Sequence, residues 1–447
     1  MNMSDGRFIF TSYEGDIGKG RFDFFYTVEV GGNQIQFTDT LVFPSVNEET
    51  IPPELIKNLL ETLHMVCGIS YWKLYCPKTV VLNAITLSKA QAMFWNTVYT
   101  KGLGELFYKN GIDFRNLIHF PFSEKSATPV SFERKDQSLL MVGGGKDSIV
   151  SGELLKQNNF PFDAFVINEH PVQRETSKIM NVESLTVKRI IDTTLISLSQ
   201  SKEKGTYNGH VPISAIYACI GLCMAVFHDY RYIVASNERS ADEGNVTYLG
   251  EQINHQWSKS FEFERMFQDY VKTVITPSVT YFSLLRPITE IHIAKLFSDK
   301  TAYFSIFCSC NKIFRINAPK PSGRWCGQCP KCAAVFLLLA PFLPKETLIS
   351  IFGKNLFADP ALLPLFEELL GIRGNKPFEC VATISESQYA LREVIDKKLY
   401  KDDPVIQALA KEKSIDDSEK EELAKTLFDV SEKHAIPERF LSILKTL

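Results

Sequence analysis

The sequence has no apolar run long enough to cross a bilayer as a helix, which takes about 20 residues; the longest, residues 333–343, falls well short. It has no large excess of either charge: 49 Lys and Arg face 52 Asp and Glu, a formal net charge of −3. With no basic stripe, neither nucleic acid nor a membrane is an expected partner. The opening MNMSDGRFIF carries an early acid and no long apolar core. No export signal is expected from it, so the cytoplasm is the expected compartment. Internal repeats and low-complexity linkers are missing as well. So are two nucleotide-binding motifs, GxxxxGK[ST] and GxGxxG with a downstream ribose acid.

What is present describes an ordinary globular chain, with 45% hydrophobic and 23% charged residues. Its 447 residues exceed one core, and two or three domains are expected. Residues 1–130 read as an α+β unit. RFDFFYTVEV and QIQFTDTLVFP are aromatic, β-branched strands joined by a hairpin turn at Gly31 and Gly32. Pro52 and Pro53 suit a helix start, and Ser88 suits an N-cap. From residue 138 strands and helices alternate, with strands expected at 139–142, 164–168, 186–191, 232–236 and 281–286. That rhythm predicts a parallel, doubly wound α/β sheet over residues 131–345. Its ligands should sit beyond the carboxyl ends of the strands. Residues 346–447 read as amphipathic helices, a C-terminal helical region.

One stretch concentrates the chemistry: LLMVGGGKDSIVSGELLK, residues 139–156. A buried strand runs into Gly143, Gly144 and Gly145, then Lys146, Asp147 and Ser148 open a helix. Glycines allow close approach to a ligand, and a helix N-terminus offers free N–H groups and partial positive charge to a phosphate. The bland alternative is a tight turn with no ligand. GGGKDS resembles the SGGxDS signature of the pyrophosphatase-loop ATPases, with Gly143 where many members carry Ser. The resemblance implies a HUP-like sheet, and ATP cleaved between its α and β phosphates with transfer of AMP to a substrate oxygen.

A second polar segment, SNERSADEGNVTYLGEQINHQWSKS, follows the fourth of these strands. At a strand terminus Ser236, Asn237, Arg239 and Ser240 are candidates for substrate contact. Five cysteines crowd together: Cys308, Cys310, Cys326, Cys329 and Cys332. In a chain without an export signal, such spacing favours metal over disulfides. Cys310, Cys326, Cys329 and Cys332 are the expected zinc ligands, with Cys308 spare; reduced thiols without metal are the alternative. The arrangement resembles the zinc knuckle of 7-cyano-7-deazaguanine synthase.

Taken in order, FTDTLVFP, LHMVCGISYWKLYCP, GGGKDS, SNERSADEGN, NHQWSKS and RWCGQCPKCAAVF resemble the UDP-N-acetylmuramoyl-L-alanyl-L-glutamate epimerase (MurL) family over about residues 7–345. The resemblance implies an ATP- and magnesium-dependent isomerase of peptidoglycan precursor synthesis. It would invert the terminal L-Glu of UDP-MurNAc-L-Ala-L-Glu through an acyl-adenylate. On that reading residues 143–148 hold the phosphates, Asp147 orients magnesium and Lys146 offsets charge on the pyrophosphate. Candidates for moving the Cα proton are Glu238, Asp242, Glu243, His255, Lys259 and Cys308. At least one base is expected from residues 237–259. An amide-forming ligase using the same adenylate is one rival, and a non-catalytic nucleotide-binding module is the other. The oligomeric state is not legible.

Overall fold

The computed structural model describes residues 6–46, 51–124, 126–200, 205–314, 321, 323–411 and 417–447. Strands β1 (Arg7–Asp16), β2 (Arg21–Val30) and β3 (Asn33–Val42) form an antiparallel meander, and β4 (Thr79–Leu82) lies parallel to β1. Alternation along the strands turns Phe8, Phe10, Phe22 and Phe24 into the core. The hairpin turn sits where expected, with Gly31 and Gly32 at φ +58° and +80°, a backbone that glycine enters without strain. Helix Pro53–Trp72 begins at the proline pair, and helix Lys89–Gly102 is capped by Ser88 and Gln91 in a capping box.

The alternating region supplies β5 (Lys135–Met141), β6 (Phe162–Ile167), β7 (Ser184–Ile190) and β8 (Tyr230–Ala235). A small separate hairpin, β9 (Val246–Tyr248) and β10 (Glu251–Ile253), precedes β11 (Thr280–Ser283). All five expected strands are present, and they pair in parallel. Across the sheet the order is β11-β8-β5-β6-β7-β3-β2-β1-β4. From β5 the chain moves to β6 and β7 on one side, then crosses to β8 and β11 on the other. Connections that part in opposite directions between β5 and β8 open a crevice at the carboxyl ends of those two strands.

The meander joins the same sheet, since β3 pairs antiparallel with β7 through Thr40, Leu41 and Val42. Residues 1–130 and 131–345 therefore contribute to one nine-stranded sheet. At the joint the Arg189 guanidinium meets the Asp39 carboxylate at 2.6 Å and donates to Ser70 Oγ at 3.0 Å. Both partners are buried, a state that charges tolerate only when paired and hydrogen-bonded.

Helix Ile213–Phe227 packs on helix Pro53–Trp72 and is apolar nearly all round, as a helix enclosed by protein should be. Helix Pro330–Leu339 is likewise enclosed, so the longest apolar run of the sequence is core. Beyond it the chain is helical as expected, including Lys345–Phe352, Leu363–Leu369 and Ile384–Asp396. No helix among the described residues is long and apolar enough to cross a membrane.

Candidate functional site

The crevice opens where β5 runs into its glycine turn. Gly144 takes φ +83°, and a Cβ there would lie 2.5 Å from Val172 Cγ1, so the position admits only glycine. Cys308 N–H donates to Gly144 O at 3.0 Å, and a Cβ on Gly145 would lie 3.3 Å from Ser309 Cβ. One side of the turn is thus clamped by residues 308–309. The other side is open: a Cβ on Gly143 meets nothing within 4 Å. Helix Lys146–Gln157 starts from Gly145, which has no side chain to cap it. Among the described residues the N–H groups of Gly143, Gly144 and Gly145 find no protein acceptor. Backbone donors left free at a helix N-terminus suit an anion.

Lys146 turns inward and is buried. Its ammonium is 2.5 Å from Asp147 Oδ1 and 2.9 Å from Glu290 Oε1. A second buried ammonium, Lys331, reaches the same Glu290 oxygen at 3.2 Å. Burial pushes the Glu290 carboxyl up, but Lys146 and Lys331 outweigh it and hold the group at about 2. Its other oxygen, Oε2, is buried with no partner among the described residues. Glu238, at the carboxyl end of β8, is raised by burial and by the Asp147 and Glu290 charges, against the pull of Lys259. Arg286 locks the frame around it, donating to Glu238 O at 2.7 Å and Lys259 O at 2.5 Å while paired with Glu264 at 2.9 Å.

Beside this cluster Lys259 Nζ lies 3.6 Å from Cys380 Sγ, its one hydrogen-bond partner among the described residues. Glu105 meets the His255 ring at Nδ1, and the Cys380 sulfur is close enough for the His255 charge to act on it. Burial alone would lower His255; Cys380 and Glu105 instead bring it up to about 9. The Cys380 thiol is pushed up by burial, yet Lys259 and His255 leave it below its ordinary value. Glu105 falls to about 2, because His255 and Lys109 overcome its burial. Lys331 also donates to the Cys380 carbonyl, joining the two groups of charges.

The other expected residues divide. Ser236 Oγ is buried without a partner among the described residues, and Asn237 Nδ2 faces Tyr281 Oη at 3.4 Å. Arg239 is committed to Thr426 O at 2.8 Å, and Ser240 to Glu386 at 2.7 Å. Asp242 accepts the Phe261 N–H at 2.7 Å, and Glu243 pairs with Lys376 at 3.0 Å. These four tie segments together. Cys308 donates to Arg324 O at 2.8 Å, and burial pushes its thiol up to about 12.

Cys310, Cys326, Cys329 and Cys332 converge, all four sulfurs within 4.8 Å of one another. The recorded pairs are 4.0, 3.7 and 3.5 Å apart. Zinc–sulfur bonds of about 2.3 Å place tetrahedral corners about 3.8 Å apart, so the spacing fits that ion. All are free thiols.

Sequence reasoning missed Glu105, Arg286, Glu290, Lys331 and Cys380. Two had a signal: Lys331 is a charge inside an apolar helix, PKCAAVFLLL, and Glu290 opens the apolar EIHIAKLF. Cys380 had none, being a single cysteine in a helical region far along the chain.

Models of two domain families match the sequence: the MurL N-terminal domain over residues 2–284 and the MurL C-terminal domain over residues 306–425. The chain is 37% identical over 409 residues to a UDP-N-acetyl-alpha-D-muramoyl-L-alanyl-L-glutamate epimerase of Micromonospora sp., covering 90% of each chain. To the protein of that name from Salinispora tropica it is 37% identical over 410 residues, covering 90% of this chain and 88% of the relative. A third, from Xanthomonas oryzae pv. oryzae, is 35% identical over 352 residues, covering 78% and 77%.

Proposed function

The chain belongs to the MurL family, and from that premise we propose that it inverts the terminal L-glutamate of UDP-MurNAc-L-Ala-L-Glu, using ATP as co-substrate. The observation that carries the reading is a juxtaposition in one crevice. A glycine turn with free amides meets a buried cluster of Lys, Glu and Cys side chains. The relatives' shared name supplies the substrate.

The Cα–H of a glutamate is hardly acidic beside a carboxylate, because deprotonation builds a second negative charge. Adenylation removes the first charge and lets the carbonyl take the electron pair as an enolate. The open face at Gly143 leaves room for a phosphate against bare backbone, and residues 143–148 would hold it. Asp147 would hold magnesium, which neutralises phosphate charge when bound. Lys146 acts one step back, fixing Asp147 and Glu290. Lys259 offers its spare N–H donors to the substrate carboxylate or the developing enolate. Glu238, kept from ionising readily, is the candidate for passing a proton. Ser236 and Asn237 face the dipeptide.

The finer fold class is part of the proposal: a pyrophosphatase-loop, HUP-like sheet, supported by the reversal between β5 and β8 and by GGGKDS at the end of β5. Cys310, Cys326, Cys329 and Cys332 would hold a structural zinc that ties helix Pro330–Leu339 to the loop facing Gly144.

The test is incubation with ATP, magnesium and UDP-MurNAc-L-Ala-L-Glu. Pyrophosphate is expected to leave on adenylation and AMP when water cleaves the inverted acyl-adenylate, giving a product of unchanged mass whose glutamate is D. Product that gains nitrogen would point to amide formation, and L-glutamate with no AMP would reject the proposal.

A further inference from the structure

Resting on that reading, the geometry points to Cys380 as the group that takes or returns the Cα proton on one face of the glutamyl residue. The Lys259 ammonium stands 3.6 Å from its sulfur, Lys331 holds its carbonyl, and the charge of His255, whose Nδ1 meets Glu105, acts on the same thiol. Three elements distant in sequence build this arrangement. Glu105 comes from helix Gly104–Asn110, His255 from the loop after β10, and Cys380 from the loop before helix Ile384–Asp396.

Several observations separate this thiol from a cysteine that merely packs. Cys67, Cys219 and Cys223 are buried in the core, where burial drives their thiols up. Cys380 is enclosed by protein yet keeps accessible surface. The charged groups that face it are Lys259, His255 and Lys331, all able to be cationic. They come from two segments, the loop after β10 and helix Pro330–Leu339, and each favours the thiolate. His255 is in turn faced by Glu105 and by His210, whose ring centroid is 4.3 Å away. Glu105 supports a positive charge on His255, and that charge with burial keeps His210 neutral. The Cys380 backbone is pinned by Lys331, which also binds Glu290 beside the glycine turn. The sulfur is thus tied to the adenylation side of the crevice through one shared lysine. Glu290 Oε2, buried and unpartnered, lies in that same group.

The step balances as follows. The thiolate takes the proton, so the Cα–H bond breaks and an S–H bond forms. The electron pair moves into the carbonyl of the adenylated carboxyl, giving an enolate. A donor on the opposite face, from residues 237–259, closes the new Cα–H bond. The thiol then loses its proton to solvent, and the donor regains one. His255 and Glu105 do not touch the carbon; they position the sulfur and hold it ionised.

The test uses the full chain with ATP, magnesium and UDP-MurNAc-L-Ala-L-Glu in deuterated water. Three readouts are taken: pyrophosphate exchange into ATP, deuterium at the glutamate Cα, and chirality. For Cys380→Ser and Cys380→Ala, inversion should fall about a hundredfold or more, the usual weight of a general base. Pyrophosphate exchange should stay within about threefold of the parent, since adenylation does not use the sulfur. Inversion within about threefold in both variants overturns the proposal. A second measurement needs no variant: alkylation by iodoacetamide, mapped by peptide mass. Cys380 should be modified at neutral pH ahead of Cys67, Cys219 and Cys223, substrate should protect it, and inversion should be lost in step. A Cys380 no more reactive than those core thiols overturns the proposal. If the parent inverts without any pyrophosphate exchange, the adenylation reading fails instead, while the variants still decide the role of Cys380.

Discussion

Replacing Glu290 by Gln removes the one carboxylate that two buried ammoniums share. Lys146 lies 2.9 Å and Lys331 3.2 Å from the same oxygen, and all three side chains are nearly inaccessible to water. A carboxyl held at about 2 against an ordinary 4.5 is stabilised as the charged form by about 3 kcal/mol. Breaking a buried pair by removing one partner typically costs about 3–5 kcal/mol, in the same range. The penalty has a ceiling, because an orphaned lysine can shed its proton, which at pH 7 costs about 5 kcal/mol. With an unfolding entropy of about 2 cal/mol/K per residue, the whole chain changes by about 1 kcal/mol per kelvin, so the expected drop in melting temperature is about 3–5 °C. Thermal unfolding by circular dichroism at pH 7 measures it. Adding Lys331→Met to Glu290→Gln should recover part of the loss, since one unpaired charge then disappears. The pH dependence has a fixed sign. Glu290 is depressed in the folded protein, so its contribution is complete above about pH 4.5 and fades as pH falls toward about 2. A loss under about 1 °C, or a double variant worse than the single one by the full cost of Lys331, would refute the shared-carboxylate account.

Gly143→Ala should fold with an unchanged melting temperature, because its Cβ meets nothing within 4 Å, yet lose ATP–pyrophosphate exchange by intruding on the open face. Gly144→Ala, by contrast, should also destabilise the fold, its Cβ falling 2.5 Å from Val172 at φ +83°. Metal analysis of purified protein should find one zinc per chain, lost in Cys329→Ser; intact cysteines without zinc would remove that site. His255 is raised to about 9 from an ordinary 6.5, so its contribution is complete below about pH 6.5 and disappears as pH rises through about 9. Melting temperature followed from pH 7 to pH 9.5 should fall more steeply in the parent than in His255→Asn; equal slopes would count against the Glu105–His255 pair.

Much of the fold is legible in the sequence. Period-two alternation and glycine punctuation located the strands, and the order strand, three glycines, helix located the turn whose backbone amides are left free. The convergence of Cys310, Cys326, Cys329 and Cys332 was legible because three of the four lie within seven positions of one another. Local spacing could not show the partners of Arg239, Ser240, Asp242 and Glu243, whose side chains reach Thr426, Glu386, the Phe261 N–H and Lys376. A polar residue at a strand end has the same appearance whether it serves a ligand or a distant helix.

The sequence by itself determined which segments are strands, where backbone can meet a phosphate and which cysteines can share a metal. Each of these depends on residues within a few positions of one another, where local backbone preference and spacing suffice. Only the tertiary structure decided that the N-terminal meander extends the same sheet, that Glu290 joins Lys146 to Lys331, that Glu105 meets His255, and that Cys380 comes up against Lys259. Those pairings span up to 150 residues and rest on burial, which changes the strength of a charge and is a property of position in space that no single stretch of chain carries.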